Sequence, residues 1–122
     1  MKSIGFTNSN EEIFEYVIED NDLQVTVLNY GATITKIIYR GIDVALGYEN
    51  VEDYFDNGAA FGMTVMPNSN RIKNAEITID DKKYQLEVND RVNNLHSHTK
   101  NSCQKKIYDV KQVAKNKLVC NV

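Results

Sequence analysis

The chain has 122 residues, 42% hydrophobic and 25% charged, an ordinary globular balance for which one domain is the starting expectation. A net charge of −3, with an isoelectric point near 5.3, offers no basic footprint for a phosphate backbone and excludes a nucleic-acid partner. No apolar run approaches the roughly 20 residues of a bilayer span, residues 1–6 lack the apolar core of a signal peptide, and two cysteines are too few for a disulfide framework, so a cytoplasmic chain with reduced thiols and no membrane contact is expected.

Seven Tyr, many Val and Ile and a single Pro lean toward strand, because branched and aromatic side chains suit a pleated, half-buried surface. Residues 13–19 read as a strand, and Asp20-Asn21-Asp22 as a turn whose side chains bond their own backbone. Leu23, Val25 and Val27 alternate with Gln24 and Thr26, the period of a second strand, which Asn29-Tyr30-Gly31 interrupts. Residues 33–39 form the next strand, closed by the turn at Arg40-Gly41, and residues 43–48 a short one. The segment 49–56 is acidic and aromatic, with Val51, Tyr54 and Phe55 spaced for one face of a helical turn or two, and Asn57-Gly58 ends it. Residues 61–66 are an apolar strand running into the Pro67 loop. Residues 75–88 alternate Ile77 and Ile79, then Tyr84, Leu86 and Val88, around Asp80-Asp81-Lys82, the pattern of a hairpin. Residues 107–113 and 118–122 make another hairpin across Lys115-Asn116-Lys117. Short strands with almost no helix predict an all-β, antiparallel sandwich or part of one. The alternation Leu118, Cys120, Val122 runs to the last residue, so a single partial domain over 1–122 is expected.

The chemistry concentrates in two stretches, Met66-Pro67-Asn68-Ser69-Asn70-Arg71-Ile72 and Asn93-Asn94-Leu95-His96. Each puts a polar side chain on a loop beside a strand. Arg71 can bond two adjacent hydroxyls with one guanidinium, and His96 can donate or accept near neutral pH. On residue type alone, Arg71 reads first as a surface cation paired with a carboxylate, and His96 equally as a structural histidine. His96, His98, Cys103 and Cys120 are zinc-ligand types but lack the close Cys pair of structural sites, so no metal is expected. Asp80-Asp81 falls on a hairpin turn, and Glu49, Glu52, Asp53 and Asp56 read as a solvated face with Tyr54 and Phe55 packing beneath a loop.

Four stretches, in order, resemble the N-terminal part of the aldose 1-epimerase (galactose mutarotase) family: Asn29-Tyr30-Gly31-Ala32-Thr33-Ile34, Asp43-Val44-Ala45-Leu46-Gly47-Tyr48, Asn70-Arg71-Ile72, and Asn94-Leu95-His96. The resemblance runs from about Phe14 to the chain end. It implies the galactose mutarotase-like supersandwich and the interconversion of α and β anomers of a free aldohexose. In that reaction a base takes the anomeric hydroxyl proton, an acid protonates the ring oxygen, and the opened sugar recloses on its other face, with no cofactor. It also implies substrate binding by Arg71 and His96, with Asn70 shaping the pocket, and places the general acid His and general base Glu beyond Val122. The chain alone is therefore expected to be inactive, and its unpaired sheet edges to favour self-association. Many members have Gly-Arg where this chain has Met66-Pro67, and Leu-His-Gly-Gly where it has Leu95-His96-Ser97-His98. Both departures bear on loop geometry, since glycine is conformationally free and proline is not. A non-catalytic carbohydrate-binding member of the same superfamily, or a small metal-binding or interaction module, are the alternatives.

Overall fold

The computed structural model describes residues 1–122. The strands are β1 Lys2–Phe6, β2 Glu12–Asp20, β3 Leu23–Leu28, β4 Ile34–Tyr39, β5 Ile42–Asp43, β6 Arg71–Ile72, β7 Glu76–Ile79, β8 Lys82–Gln85, β9 Asn94–Leu95, β10 Asp109–Ala114 and β11 Lys117–Asn121. One short helix, α1 Asp53–Asp56, and two 3-10 turns, Lys73–Ala75 and Cys103–Lys105, complete a nearly all-β chain in which every strand pair is antiparallel, as expected. The chain divides into two compact units, one of Met1–Thr64 with Lys106–Val122, the other of Val65–Lys105.

The first unit is built on a five-stranded sheet in the order β1-β2-β3-β4-β5. β1 was not anticipated from the residues. Its five positions alternate too briefly to register as a strand, and β2 supplies its pairing, with a register shift between Ser3 and Gly5. β2 and β3 meet across Asn21 (φ 48°) and Asp22, the turn expected from their side chains. Ile13, Leu28 and Tyr30 are buried together, with Ile4, Val51, Phe55 and Ile107 packed against them. Each large apolar side chain so removed from water contributes about 1.5–3 kcal/mol.

Asn29 explains why the chain breaks where it does. Its buried side chain accepts from Phe14 N–H at 2.8 Å and donates to Glu12 C=O at 3.1 Å, taking over the ladder bonds that β3 drops as it ends. Gly31 (φ 64°) and Ala32 (φ 47°) then turn the chain, and the Thr33 hydroxyl donates to Tyr30 C=O at 2.9 Å.

Two expected strands are absent. Of the expected strand 43–48 only Asp43 lies in a strand, β5: Val44 N–H still donates to Ile37 C=O at 2.8 Å, but Asp43 Oδ1 accepts from Ile37 N–H and Ala45 N–H (3.2 and 3.1 Å) and the chain then leaves the ladder. Beyond Ala45 the chain is a pinned loop, in which Tyr48 N–H donates to the Tyr54 hydroxyl at 2.9 Å. Residues 61–66 are also loop. Asn57 brackets Phe61, accepting from its N–H and donating to its C=O, and Gly62 (φ 58°) lies so close to the Ile34 backbone that a Cβ there would overlap it. Apolar content marked both segments as strand, but side-chain and turn bonds claimed the backbone first. In α1, Tyr54 is buried and Phe55 stacks edge-on to Tyr30 at 5.4 Å, while Asn57 in the left-handed conformation ends the helix. β10 and β11 form the expected hairpin, with a register shift between Gln112 and Ala114.

The second unit holds two small ladders. β7 and β8 pair from Glu76↔Gln85 to Ile79↔Lys82, joined by Asp80 and Asp81, both at positive φ (47° and 60°), the requirement of a type I′ turn. This hairpin is shorter than the alternation over 75–88 suggested. Leu86 N–H returns to Ala75 C=O, and Val88 stands 55% exposed. The other ladder joins β6 to β9.

Candidate functional site

The β6–β9 ladder pairs Arg71 with Leu95 and Ile72 with Asn94, so the two stretches singled out in the sequence are the two strands of one structure. At its outer end the chain turns through left-handed residues, Asn70 (φ 62°), His96 (φ 57°) and Ser97 (φ 70°). Positive φ recurs at turns throughout this chain, Asn21 and Asp80 among them, and here too it marks where the backbone turns.

Asn70 and His96 face each other through two hydrogen bonds. The His96 N–H donates to Asn70 C=O at 3.2 Å, and the Asn70 N–H donates to His96 Nδ1 at 3.0 Å. The Asn70 side chain accepts from the Arg71 N–H at 2.9 Å. Asn70 therefore spends all these polar groups on the chain itself. Arg71 is 58% exposed and its Nε donates to Asp90 Oδ2 at 2.5 Å; Asp90 is 24% exposed. The carboxylate partner that the plain surface reading of Arg71 called for is thus present. It engages Nε and offsets the cation's charge.

A framework of side-chain amides carries the ladder. Asn94, almost fully buried, donates to Glu87 C=O and Ser97 C=O (2.8 and 2.6 Å) and accepts from Asn68 at 2.9 Å. Asn89 accepts from Leu95 N–H at 2.6 Å and donates to Leu95 C=O at 3.0 Å. The buried Ser97 hydroxyl donates to Asn68 C=O and accepts from Asn68 N–H (2.9 and 3.0 Å). A serine holds the left-handed conformation because its hydroxyl is tied to the facing loop. Gln104 donates to His96 C=O at 3.2 Å. Asp90 and Asn89 were not singled out from sequence, and Asn68 and Ser97 were named there without these contacts. Their one signal was the density of Asn over residues 68–94, which turn formation explains equally well.

Beyond the ladder, the Thr99 N–H donates to Glu87 Oε2 at 2.6 Å and holds that carboxyl below the usual glutamate range. His98 Nδ1 accepts from Lys100 and Asn101 N–H (3.1 and 3.0 Å). His96, His98 and the cysteines do not assemble; no three His, Cys, Asp or Glu side chains are grouped to hold a metal ion. No helix is long and apolar enough to cross a membrane.

Residues 15–121 match the family model described as Aldose 1-epimerase. Bovine galactose mutarotase is 32% identical over 91 residues, covering 70% of this chain and 27% of that protein. Among solved structures, a galactose 1-epimerase from Lactobacillus acidophilus superposes with a TM-score of 0.77 at 25% identity, covering 90% of this chain and 32% of its own. An aldose epimerase homologue from C. elegans gives 0.73 at 28% identity, over 84% and 33%. The chain spans about a quarter of the length of the curated relatives it matches.

Proposed function

The chain belongs to the aldose 1-epimerase family, and from that membership we propose that its β6–β9 ladder is the sugar-holding part of an anomer-interconverting site. The observation that carries the proposal is the pairing itself, which sets Arg71 and His96 one residue apart in register across an amide-braced ladder. Arg71 has its Nε committed to Asp90, so its terminal amino groups are the ones left to donate to adjacent hydroxyls. The Asp90 carboxylate offsets the guanidinium charge, which suits an uncharged polyol better than an anion. We assign His96, one position beyond Arg71's partner Leu95, to hold and polarise the sugar ring.

Ring opening needs a base at the anomeric hydroxyl and an acid at the ring oxygen. Arg71 is permanently protonated and cannot serve as the base. We place the acid and base, as the family resemblance implies, in sequence corresponding to the part of the relatives that this chain does not span, and assign the chain substrate binding with no cofactor. The proposed ligand is a free aldohexose of the galactose or glucose type, and the proposed location cytoplasmic.

The test is a titration of the isotopically labelled chain with galactose, followed by amide chemical shifts. Saturable shifts clustered at residues 68–71 and 89–97, abolished by Arg71→Ala, are expected. Saturable shifts confined to other parts of the chain, or none, would overturn the assignment.

A further inference from the structure

The contact between Asn70 and His96 fixes more than the position of the ring. A backbone N–H can only donate, so the His96 Nδ1 that receives it at 3.0 Å must present a lone pair. While that bond is made, the ring's proton sits on Nε2. We propose that Asn70 is a positioning residue that locks His96 in the Nε2–H tautomer, so that His96 offers its ligand a donor and nothing else.

Three features make the lock hold. Asn70 adopts φ 62°, a conformation that asparagine tolerates far better than most residues, and this aims its N–H across the ladder at the imidazole. The reciprocal bond from His96 N–H to Asn70 C=O, at 3.2 Å, ties the two backbones at the same point. Gln104 holds the His96 carbonyl from the other side at 3.2 Å. Flipping the ring would put Cδ2 where Nδ1 stands and leave the Asn70 N–H without this acceptor.

The consequence for recognition rests on the sugar reading of the ladder. The terminal amino groups of Arg71 and Nε2–H of His96 are all donors, so the ligand atoms they meet must be acceptors. Hydroxyl and ring oxygens qualify; an ammonium group does not. His96 cannot take a proton from the ligand in this state, because its one basic nitrogen is occupied by the chain. Its part is to stabilise charge on a ligand oxygen.

Long-range 1H–15N correlation of the imidazole nitrogens reads the tautomer directly. The chain has two histidines, so His98→Gln leaves His96 as the one ring observed. At a pH where the ring is neutral, a pyridine-type Nδ1 and a pyrrole-type Nε2 are expected, together with a scalar coupling across the hydrogen bond between Asn70 N and Nδ1. Asn70→Gly, which keeps the N–H and the left-handed backbone, should retain both signatures. A pyrrole-type Nδ1, or averaged nitrogens without the coupling, would overturn the lock. Added galactose should shift the Nε2 proton downfield while the coupling persists. Loss of the coupling on saturation would overturn the donor-only role. Galactose that leaves every resonance unmoved would instead sink the sugar reading, a failure distinguishable because the tautomer is measured in the free protein.

Discussion

Arg71 is paired with a carboxylate, and the proposed sugar contact remains open to it, since Asp90 takes Nε and leaves the terminal amino groups unbonded. Lysine has the charge but a single ammonium, which cannot serve a carboxylate and two hydroxyls in fixed directions. Arg71→Lys should therefore weaken galactose binding about tenfold, roughly 1.4 kcal/mol, measured as the dissociation constant from the titration; unchanged affinity would remove the fork from the account. Ser97 carries a different burden. It holds φ 70° while its hydroxyl satisfies both backbone groups of Asn68. Ser97→Ala keeps the strain and strands those groups, so it should lower unfolding free energy by about 2 kcal/mol, read from urea denaturation. Glu87 sets a pH dependence. Its folded pKa lies below the ordinary 4.5 because the Thr99 N–H bonds the carboxylate, so folding favours the charged form. The stabilisation is present in full above that ordinary value and is lost as pH falls through the lower folded value. The stability gap between wild type and Glu87→Gln should accordingly close on acidification; a gap unchanged from neutral to acid pH would contradict it.

At the scale of elements, the short β7–β8 hairpin and the Gly62 loop make opposite predictions for a glycine. The hairpin turns through Asp80 and Asp81, both at positive φ, where an L side chain costs about 1–2 kcal/mol and glycine costs none. Asp81→Gly should raise the thermal midpoint, and a fall would show that the aspartate side chain stabilises the turn by more than the strain it adds. Gly62 is the converse case. Its positive φ and the Ile34 backbone against its Cα leave no room for a methyl group. Gly62→Ala should cost upwards of about 3 kcal/mol, and the loss should appear as exchange broadening or displacement at Ile34, whose N–H donates to Gly62 C=O at 2.9 Å. Gly62 shows why the strand assignment for residues 61–66 failed, as the Asp43 side chain does for 43–48. Hydrophobic content says that a segment is buried, but not whether a neighbouring Asn or Asp side chain takes its backbone bonds.

For the molecule as a whole, β5 is the outer strand of the five-stranded sheet and is bonded on one side, by β4. Its Ile42 is 67% exposed, and Leu46 beyond it, 75% exposed, lines an apolar hollow of about 490 Å³ with Ile34, Ile37, Phe61 and Met63. An edge of that kind templates pairing with a second chain. We expect concentration-dependent association in sedimentation velocity, reduced by Leu46→Lys; a monomer at all concentrations would dispose of it. Polarimetry of freshly dissolved α-galactose should show no acceleration by the chain, because Arg71 cannot accept a proton and the basic nitrogen of His96 is held by Asn70. Much of this protein was legible in its residues. Alternation marked the β2, β3, β4 and β7–β11 regions apart from the two-residue β9, because a period of two is a local property, and the Asn-Arg-Ile and Asn-Leu-His stretches marked the family. What the residues could not give is which backbone groups meet. That β6 lies against β9, that Asp90 takes Arg71, and that Asn70 donates to Nδ1 of His96 are all contacts across 19 to 26 positions of sequence. They are decided by hydrogen-bond satisfaction in the folded chain, where each buried donor must find an acceptor whatever its distance along the sequence.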